Sequence, residues 1–146
     1  MSHVDRCPQV PVSWGELMDK ITILQIKSER ITAHGAQANV AHELASLSQV
    51  AGDAIRASQV VALMKRLRAV NEELWVIEDD IRACEAQADF GSRFVELARA
   101  VYKTNDLRAA IKRQINDALG SQLVEEKSYT DWNLTVGQTN AQVPAV

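Results

Sequence analysis

The sequence has few cysteines, no long apolar run and no excess of basic residues, and each shortage excludes a class of protein. Its two cysteines, Cys7 near the start and Cys84 within an apolar repeat, are not expected to form a disulfide bridge. No apolar run could span a bilayer and no apolar signal segment follows Met1, so no membrane association is expected. With 16 basic and 19 acidic residues, the net charge is −3, and the sequence lacks the excess of basic residues that a nucleic-acid-binding surface needs. A cytoplasmic protein is therefore expected.

Motifs for catalysis and cofactor binding are also missing from the sequence. There is no glycine-rich phosphate loop, no alternating strand pattern and no repeat of solenoid length. The histidines His3, His34 and His42 lie in terminal or poorly periodic segments, and no spacing suggests a Ser/His/Asp or Cys/His arrangement. The sequence therefore predicts no catalytic residue, no metal site and no cofactor.

What the sequence does contain is a long apolar repeat between residues 60 and 84. Its spacings alternate between three and four, which is the a/d pattern of a packed helix: Val60, Leu63, Leu67, Val70, Leu74, Ile77, Ile81 and Cys84. A helix over about residues 54–85 would be about 45 Å long. That length exceeds the width of about 30–38 Å of a compact domain of this size. The repeat therefore predicts an elongated helical hairpin.

Helix signals elsewhere complete an all-α prediction. Ser13 and Glu16 match the S-x-x-E capping box that opens a first helix, and Gly35 is the expected C-cap after residue 33. A short second helix is predicted within residues 36–52. A turn at residues 88–92 leads into a fourth helix over residues 92–119.

The predicted fold is an elongated helical bundle of about four helices, built on a long antiparallel helical hairpin. Residues 1–11 are predicted to be a flexible extended arm and residues 12–130 a single helical domain. Residues 131–146, rich in Asn, Gln and Thr, are predicted to be a disordered tail.

Charged residues are unevenly distributed along the predicted hairpin. Residues 71–89 hold seven acidic side chains and one basic, whereas residues 93–113 hold six basic and two acidic. Ion pairs between the two helices are the simplest interpretation. A ligand or a divalent ion held by the acidic cluster is the alternative.

Polar residues also interrupt the apolar faces, most clearly Thr104 and Arg108 on the fourth helix. Because a buried arginine must be paired, one interpretation is an internal network of the Glu78–Arg108 type. The other is an inter-helical pocket for an anionic small molecule, with an aromatic wall. The candidate ligand-binding residues are Lys20, Lys27, Asn71, Trp75, Glu78, Arg82, Tyr102, Asn105, Arg108 and Lys112.

Four blocks of the sequence resemble an uncharacterised family of bacterial all-helical domains. The blocks are PVSWGELMDKITILQIK from residue 11, NEELWVIEDDIR from 71, VYKTNDLRAAIKRQIN from 101 and EEKSY from 125. The resemblance implies a helical, soluble bacterial protein without an established activity, so it transfers no catalytic residue. It also suggests a sugar-nucleotide or surface-polysaccharide context as an alternative.

A second segment, ILQIKSER at residues 23–30, is similar to the first helix of the all-helical chorismate mutases. In that family the closing arginine binds a substrate carboxylate, a role that would fall to Arg30. However, Ser13 stands where the family has an earlier arginine, and the long helix here is not the first. Chorismate mutase activity is therefore not expected.

The leading functional hypothesis is a non-enzymatic helical binding or assembly protein that forms a homo-oligomer, most simply a dimer. Ile23 and Ile26 lie off the main stripe of the first helix. They are either scattered surface residues or a second face covered by the chain's own tail or by another subunit. Self-association is expected through this face or through the elongated hairpin. The alternative hypothesis is a small enzyme or ligand-binding protein with an inter-helical pocket for an anionic metabolite.

Overall fold

The computed structural model describes residues 6–133, and all regular secondary structure in that range is helical. The α-helices are α1 (Trp14–Arg30), α2 (His34–Ala51), α3 (Ser58–Ala86) and α4 (Ser92–Leu119), and a 3-10 helix (Gly52–Arg56) joins α2 to α3. The all-α bundle built on a long hairpin is therefore confirmed. The first five residues of the predicted arm and residues 134–146 of the predicted tail lie outside the described residues.

Helices α3 and α4 form the antiparallel hairpin. Arg93 pairs with Asp80 near the turn, at 3.2 Å, and Arg66 donates to Gln114 at the other end, at 3.1 Å. The expected set of ion pairs across the hairpin is largely wrong, since within residues 6–133 only Arg93–Asp80 joins the acidic segment of α3 to α4. Arg108 and Lys112 bind carboxylates of α1 instead, and Arg113 pairs with Glu126 after α4. No described helix is both long and apolar enough to cross a membrane.

The helix at the centre of the bundle is α1, which packs against each of the other three α-helices. An amphipathic helix with one neighbour buries a single stripe, whereas a helix enclosed by several neighbours is buried on most sides. Met18 and Thr22 of α1 are both inaccessible to solvent. The core lies where the four helices meet and consists of Leu17, Met18, Ile21, Ala51, Val60, Met64, Leu67, Val70, Ile111 and Ile115.

The core occupies only one end of the hairpin, because the helices differ in length. The 17 residues of α1 extend for about 26 Å and the 29 residues of α3 for about 43 Å. The end of the hairpin beyond α1 therefore carries apolar side chains that residues 6–133 cover only in part. Val76, Phe90 and Val95 are each about half exposed there.

Three helix ends differ from the prediction. Helix α1 stops at Arg30, because Ile31 is extended and its carbonyl accepts from the Gln37 amide at 2.9 Å. Gly35 is not a C-cap but the second residue of α2, and its φ is not positive. Helix α3 begins at Ser58 rather than near residue 54, because the 3-10 helix uses the preceding residues.

Both hairpin helices end in the same hydrogen-bonded motif. After α3, Asp89 N–H donates to the Cys84 carbonyl at 2.9 Å and Ala88 N–H donates to the Glu85 carbonyl at 3.0 Å. This is a Schellman motif, which requires a left-handed residue. After α3 that residue is Ala88, with φ of 53°, and after α4 it is the predicted Gly120, with φ of 61°.

Candidate functional site

The candidate site is organised by a second buried stripe on α1, separate from the apolar stripe that enters the core. Its members recur at spacings of four, three and four: Gly15, Asp19, Thr22 and Ile26. Such spacing places side chains on one helical face. This stripe faces α3 and α4. It places the carboxylate of Asp19 in the interior, where that residue is only 1% exposed.

The first turn of α1 lies close against α4 and the segment that follows it. A Cβ on Gly15 would collide with the backbone carbonyl of Lys112. Gly15 N–H donates to the Asn116 side-chain oxygen at 2.7 Å, and Trp14 N–H donates to the Ser121 hydroxyl at 3.2 Å. The Ser13 hydroxyl accepts from Glu16 N–H at 3.1 Å, as the capping box predicts. The amides that a helix N-terminus leaves unpaired are thus bound by side chains.

Asp19 is the acceptor at the centre of a buried polar cluster, the Asp19 cluster, which also contains Thr22, Asn71 and Arg108. Arg108 donates from Nε to Oδ1 at 2.9 Å and from Nη2 to Oδ2, and Asn71 Nδ2 donates to Oδ1 at 3.0 Å. Asn71 also donates to the Thr22 hydroxyl at 2.9 Å, which in turn donates to the Asp19 backbone carbonyl at 2.8 Å. A buried carboxylate is tolerated only when it is paired and hydrogen-bonded in this way.

The pairing of Arg108 replaces the expected Glu78–Arg108 network, which is wrong. Glu78 instead accepts from Arg82, one turn further along α3, at 3.3 Å on the surface. The hydrogen bond to Asp19 raises the pKa of Arg108, and burial opposes that effect. The buried partner of Arg108 therefore comes from α1 and not from the hairpin.

A second charged group, the Lys112 bridge, adjoins the Asp19 cluster. Lys112 Nζ donates to a carboxylate oxygen of Glu16 and to one of Glu125, both at 2.8 Å. Burial acts to lower the pKa of Lys112, but the hydrogen bonds to Glu125 and Glu16 outweigh it and the pKa is raised. The hydrogen bond from Lys112 lowers the pKa of Glu125.

The segment that follows α4, residues 120–133, runs back along the surface of that helix. We call this segment the tail from here on, in place of the predicted tail of residues 131–146. Glu125 is held by Lys112, and the indole N–H of Trp132 donates to Asp106, about two turns nearer the start of α4. The tail therefore lies on α4 and is joined to α1 by the Trp14–Ser121 hydrogen bond and by the shared Lys112. In a complete capping box the Glu16 carboxylate would also accept from Ser13 N–H. It accepts from the Lys112 ammonium instead, because charge-assisted hydrogen bonds are stronger than neutral ones.

An open cavity of about 450 Å³, the Trp75 groove, lies between α1, α3 and α4. Ile23, Ile26, Leu74 and Trp75 are its apolar lining, and the remaining lining residues are Asn71, Glu78, Asp79, Arg82, Asn105 and Arg108. Ile26 is only 1% exposed and Ile23 is half-buried, so the bundle itself covers Ile26 and part of Ile23 on the second apolar face of α1. Arg30, at the end of α1, has its guanidinium carbon 6.0 Å from the centre of the Trp75 ring.

The structure brings six of the ten predicted site residues together in the Trp75 groove: Asn71, Trp75, Glu78, Arg82, Asn105 and Arg108. Lys112 lies next to them in the Lys112 bridge, in a smaller polar cavity of about 240 Å³ that Asn105 and Arg108 also line. Tyr102 lines a different groove, together with Asn105 and the tail. Lys20 is exposed and Lys27 is half-buried, and neither lines these cavities.

The candidate ligand-binding residues do not include the carboxylates that position the basic side chains, namely Asp19, Glu16 and Glu125. The signal for Asp19 was present, because Gly15, Asp19, Thr22 and Ile26 share a helical face. Glu125 follows the last helix, and no periodicity connects it to Lys112. Among residues 6–133 no three His, Cys, Asp or Glu side chains are grouped closely enough to hold a metal ion.

Comparison with known proteins places the chain in a family without assigning it an activity. Neither the curated proteins nor the solved structures contain a significant match. A family model described as "Family of unknown function (DUF6165)" matches residues 8–141, which is most of the chain. The expectation of an uncharacterised family is thereby confirmed, and the protein belongs to the DUF6165 family.

Proposed function

We propose that this protein is a small-molecule binding protein whose site is the Trp75 groove. The ligand combines an apolar or ring-shaped body with an anionic or carbonyl oxygen that accepts hydrogen bonds. The observation that carries the proposal is the way in which Asp19 holds Arg108 at the groove. Asp19 binds one edge of its guanidinium group, while Arg108 also lines the groove and the adjoining polar cavity.

The Asp19 cluster gives Arg108 a fixed orientation before any ligand arrives. A guanidinium carries five N–H groups, and Asp19 receives bonds from Nε and Nη2 only. The Nη1 donors thus have no acceptor among residues 6–133. Preorganised donors bind a ligand with little loss of side-chain entropy. Because Asp19 balances the charge of Arg108, a carboxylate, a phosphate oxygen or a carbonyl would be recognised mainly through hydrogen bonds.

Asn105 and Trp75 supply the rest of the recognition chemistry. The half-buried Asn105 amide has no hydrogen-bond partner in the described part of the chain and lines the groove beside Arg108. Trp75, Leu74 and Ile23 offer an apolar surface for the body of the ligand. A volume of about 450 Å³ lies within the range of about 300–1,000 Å³ typical of ligand sites.

Binding fits the chemistry of this region better than catalysis does. A lysine acts as a nucleophile or base when its pKa is depressed, whereas the pKa of Lys112 is raised by Glu125 and Glu16 after burial has acted against it. Asp19 already accepts three hydrogen bonds and is shielded from solvent. We therefore assign these groups to positioning Arg108 and the tail. An anionic metabolite, with nucleotide sugars among the alternatives, remains the proposed ligand class.

A thermal-shift screen against carboxylated and phosphorylated metabolites, including nucleotide sugars, tests the proposal. A ligand present at 100 times its Kd stabilises the folded state by about 2.7 kcal/mol. We expect Trp75→Ala to abolish the shift and the neighbouring Val76→Ala, whose side chain is half exposed, to preserve it. An equal response of both variants, or the absence of any stabilising ligand, would refute the proposal.

Self-association is a second proposal, supported by the apolar end of the hairpin. Phe90 and Phe94 form an edge-to-face pair with ring centres 5.3 Å apart, and Phe90 is 55% exposed. Val95 beside them is also half exposed. Because Ile26 is covered within the chain, this end of the hairpin is the surface we propose for a dimer. Light scattering after size-exclusion chromatography should give a dimer mass that Phe90→Ser reduces to a monomer mass.

A further inference from the structure

A second cavity, the tail groove, lies between α4 and the tail and has a volume of about 500 Å³. Three of the seven aromatic residues of the chain line it, namely Tyr102, Tyr129 and Trp132. Tyr102 and Trp132 are each 43% exposed, and Tyr129 is more exposed still. Aromatic side chains grouped on one exposed surface mark a place where another molecule can be bound.

Contacts within the chain position two of the three aromatic rings of the tail groove, those of Tyr102 and Trp132. The Tyr102 and Trp132 ring centres are 6.4 Å apart and the ring planes are inclined by 53°. Trp132 donates its indole N–H to Asp106, and the Lys103 ammonium lies 4.9 Å from its ring centre. The two inclined rings expose aromatic faces to the groove, against which the planar ring of a ligand can stack.

The charges around the groove favour a ligand with negative charge. The ammonium of Lys103 lies beside Trp132 and makes no ion pair within the described residues. Lys127 lines the groove 6.0 Å from the Tyr129 ring centre, and its nearest carboxylate is Glu125 at 3.8 Å. Glu125 is itself bound to Lys112, and Asp106 accepts the bond from Trp132. The indole N–H is uncharged and leaves the charge of Asp106 in place, so the groove is bordered by two ammonium groups, Lys103 and Lys127, and by one lining carboxylate, Asp106.

We infer that the tail groove is a second binding site, which takes a planar heteroaromatic or aromatic ring bearing an anionic substituent. The ring stacks against Tyr102 and Trp132, and Lys103 or Lys127 binds the anionic group. A nucleotide and an aromatic carboxylic acid both have this chemistry. The site lies across Asn105 from the Trp75 groove and does not depend on a ligand there.

Isothermal titration of the full chain with four probes tests the inference: adenosine monophosphate, adenosine, 4-hydroxybenzoate and inorganic phosphate. We expect at least one of the two ring-bearing anions to bind, and the one that does identifies the source of the ring. Trp132→Ala should weaken that binding at least about tenfold, in keeping with the loss of one stacking partner. Trp132→Phe keeps a ring and should retain most of the affinity.

The controls separate this site from the Trp75 groove. Trp75→Ala should leave the affinity of the bound probe within about twofold, since it removes nothing from the tail groove. Failure of all four probes to bind at millimolar concentration would overturn the inference. So would equal affinity of phosphate alone, equal affinity of adenosine and its monophosphate, or a loss in Trp75→Ala that matches the loss in Trp132→Ala.

Discussion

Arg108 on α4 and Asp19 on α1, separated by 89 positions in sequence, form a two-point ion pair in which the carboxylate is almost completely buried. The pair joins the central helix to the hairpin at the edge of the Trp75 groove. Because Asn71 also donates to Asp19, residues from α1, α3 and α4 meet at one carboxylate. The stability of the bundle and the geometry of the proposed site thus depend on the same contact.

Replacing Arg108 by alanine should destabilise the protein strongly. Removing one partner of a buried ion pair leaves an uncompensated charge and typically costs about 3–5 kcal/mol. The double substitution Asp19→Asn with Arg108→Met leaves no charge in the Asp19 cluster and should cost less than Arg108→Ala alone. Urea unfolding measures both. Arg82→Ala, which removes a surface pair with Glu78, should change stability by less than about 1 kcal/mol. A comparable loss in Arg82→Ala and Arg108→Ala would contradict the prediction.

Gly15→Ala should destabilise the packing of α1 on α4. The added Cβ would meet the Lys112 carbonyl, a backbone atom that cannot rotate away. Overpacking of this kind costs about 1–3 kcal/mol, measurable by thermal unfolding. Gly35→Ala provides the matched control, because no atom lies within 4 Å of the new Cβ. Since alanine favours helix over glycine, Gly35→Ala should be neutral or slightly stabilising, and a loss there would argue against the steric explanation.

Ala88→Gly should stabilise the protein, whereas Gly120→Ala should destabilise it. The two residues occupy the same left-handed position of the same helix-terminating motif. An L-residue in this conformation costs about 1–2 kcal/mol, part of which the greater flexibility of unfolded glycine offsets. The expected changes are therefore about 1 kcal/mol, of opposite sign. Differential scanning calorimetry would show a higher Tm for the first variant and a lower Tm for the second.

Glu125→Gln should make stability less dependent on acid pH. Because Lys112 lowers the pKa of Glu125 below its ordinary value of 4.5, the Glu125 carboxylate stabilises the folded state at neutral pH. That contribution is lost as the pH falls below 4.5 and through the folded-state pKa. The stability difference between the wild type and Glu125→Gln should therefore be present at pH 7 and vanish in acid.

The neighbouring Glu126→Gln is the control for this titration, since its pair with Arg113 is exposed on both sides. It should change unfolding free energy little at any pH. The same Lys112 bridge should also weaken at high pH. The raised pKa of Lys112 keeps its contribution intact up to about 10.5, after which it is lost as the ammonium deprotonates. A wild-type advantage over Glu125→Gln that did not shrink as the pH fell below 4.5 would contradict the assignment.

Much of the site could be predicted from the polar residues that interrupt the hairpin. Asn71, Trp75 and Arg108 were identified as candidates from their positions beside or within apolar stripes, and they do line one groove. The partner of Arg108 was misassigned to Glu78, because helical periodicity says which face a residue occupies but not which helix lies opposite. Lys20 and Lys27 are candidates because they lie in the first of the sequence blocks that resemble the family, and neither lines the groove.

By itself the sequence determined the helices, the hairpin turn and the ends at Ser13 and Gly120, because caps and apolar spacing act within a few residues along the chain. Only the tertiary structure decided that α1 is the central helix, that Asp19 meets Arg108, and that Glu125 shares Lys112 with Glu16. These contacts join residues 13 to 96 positions apart. Their partners are selected by the need to neutralise buried charge once the helices have packed, and that need has no local signature in the sequence.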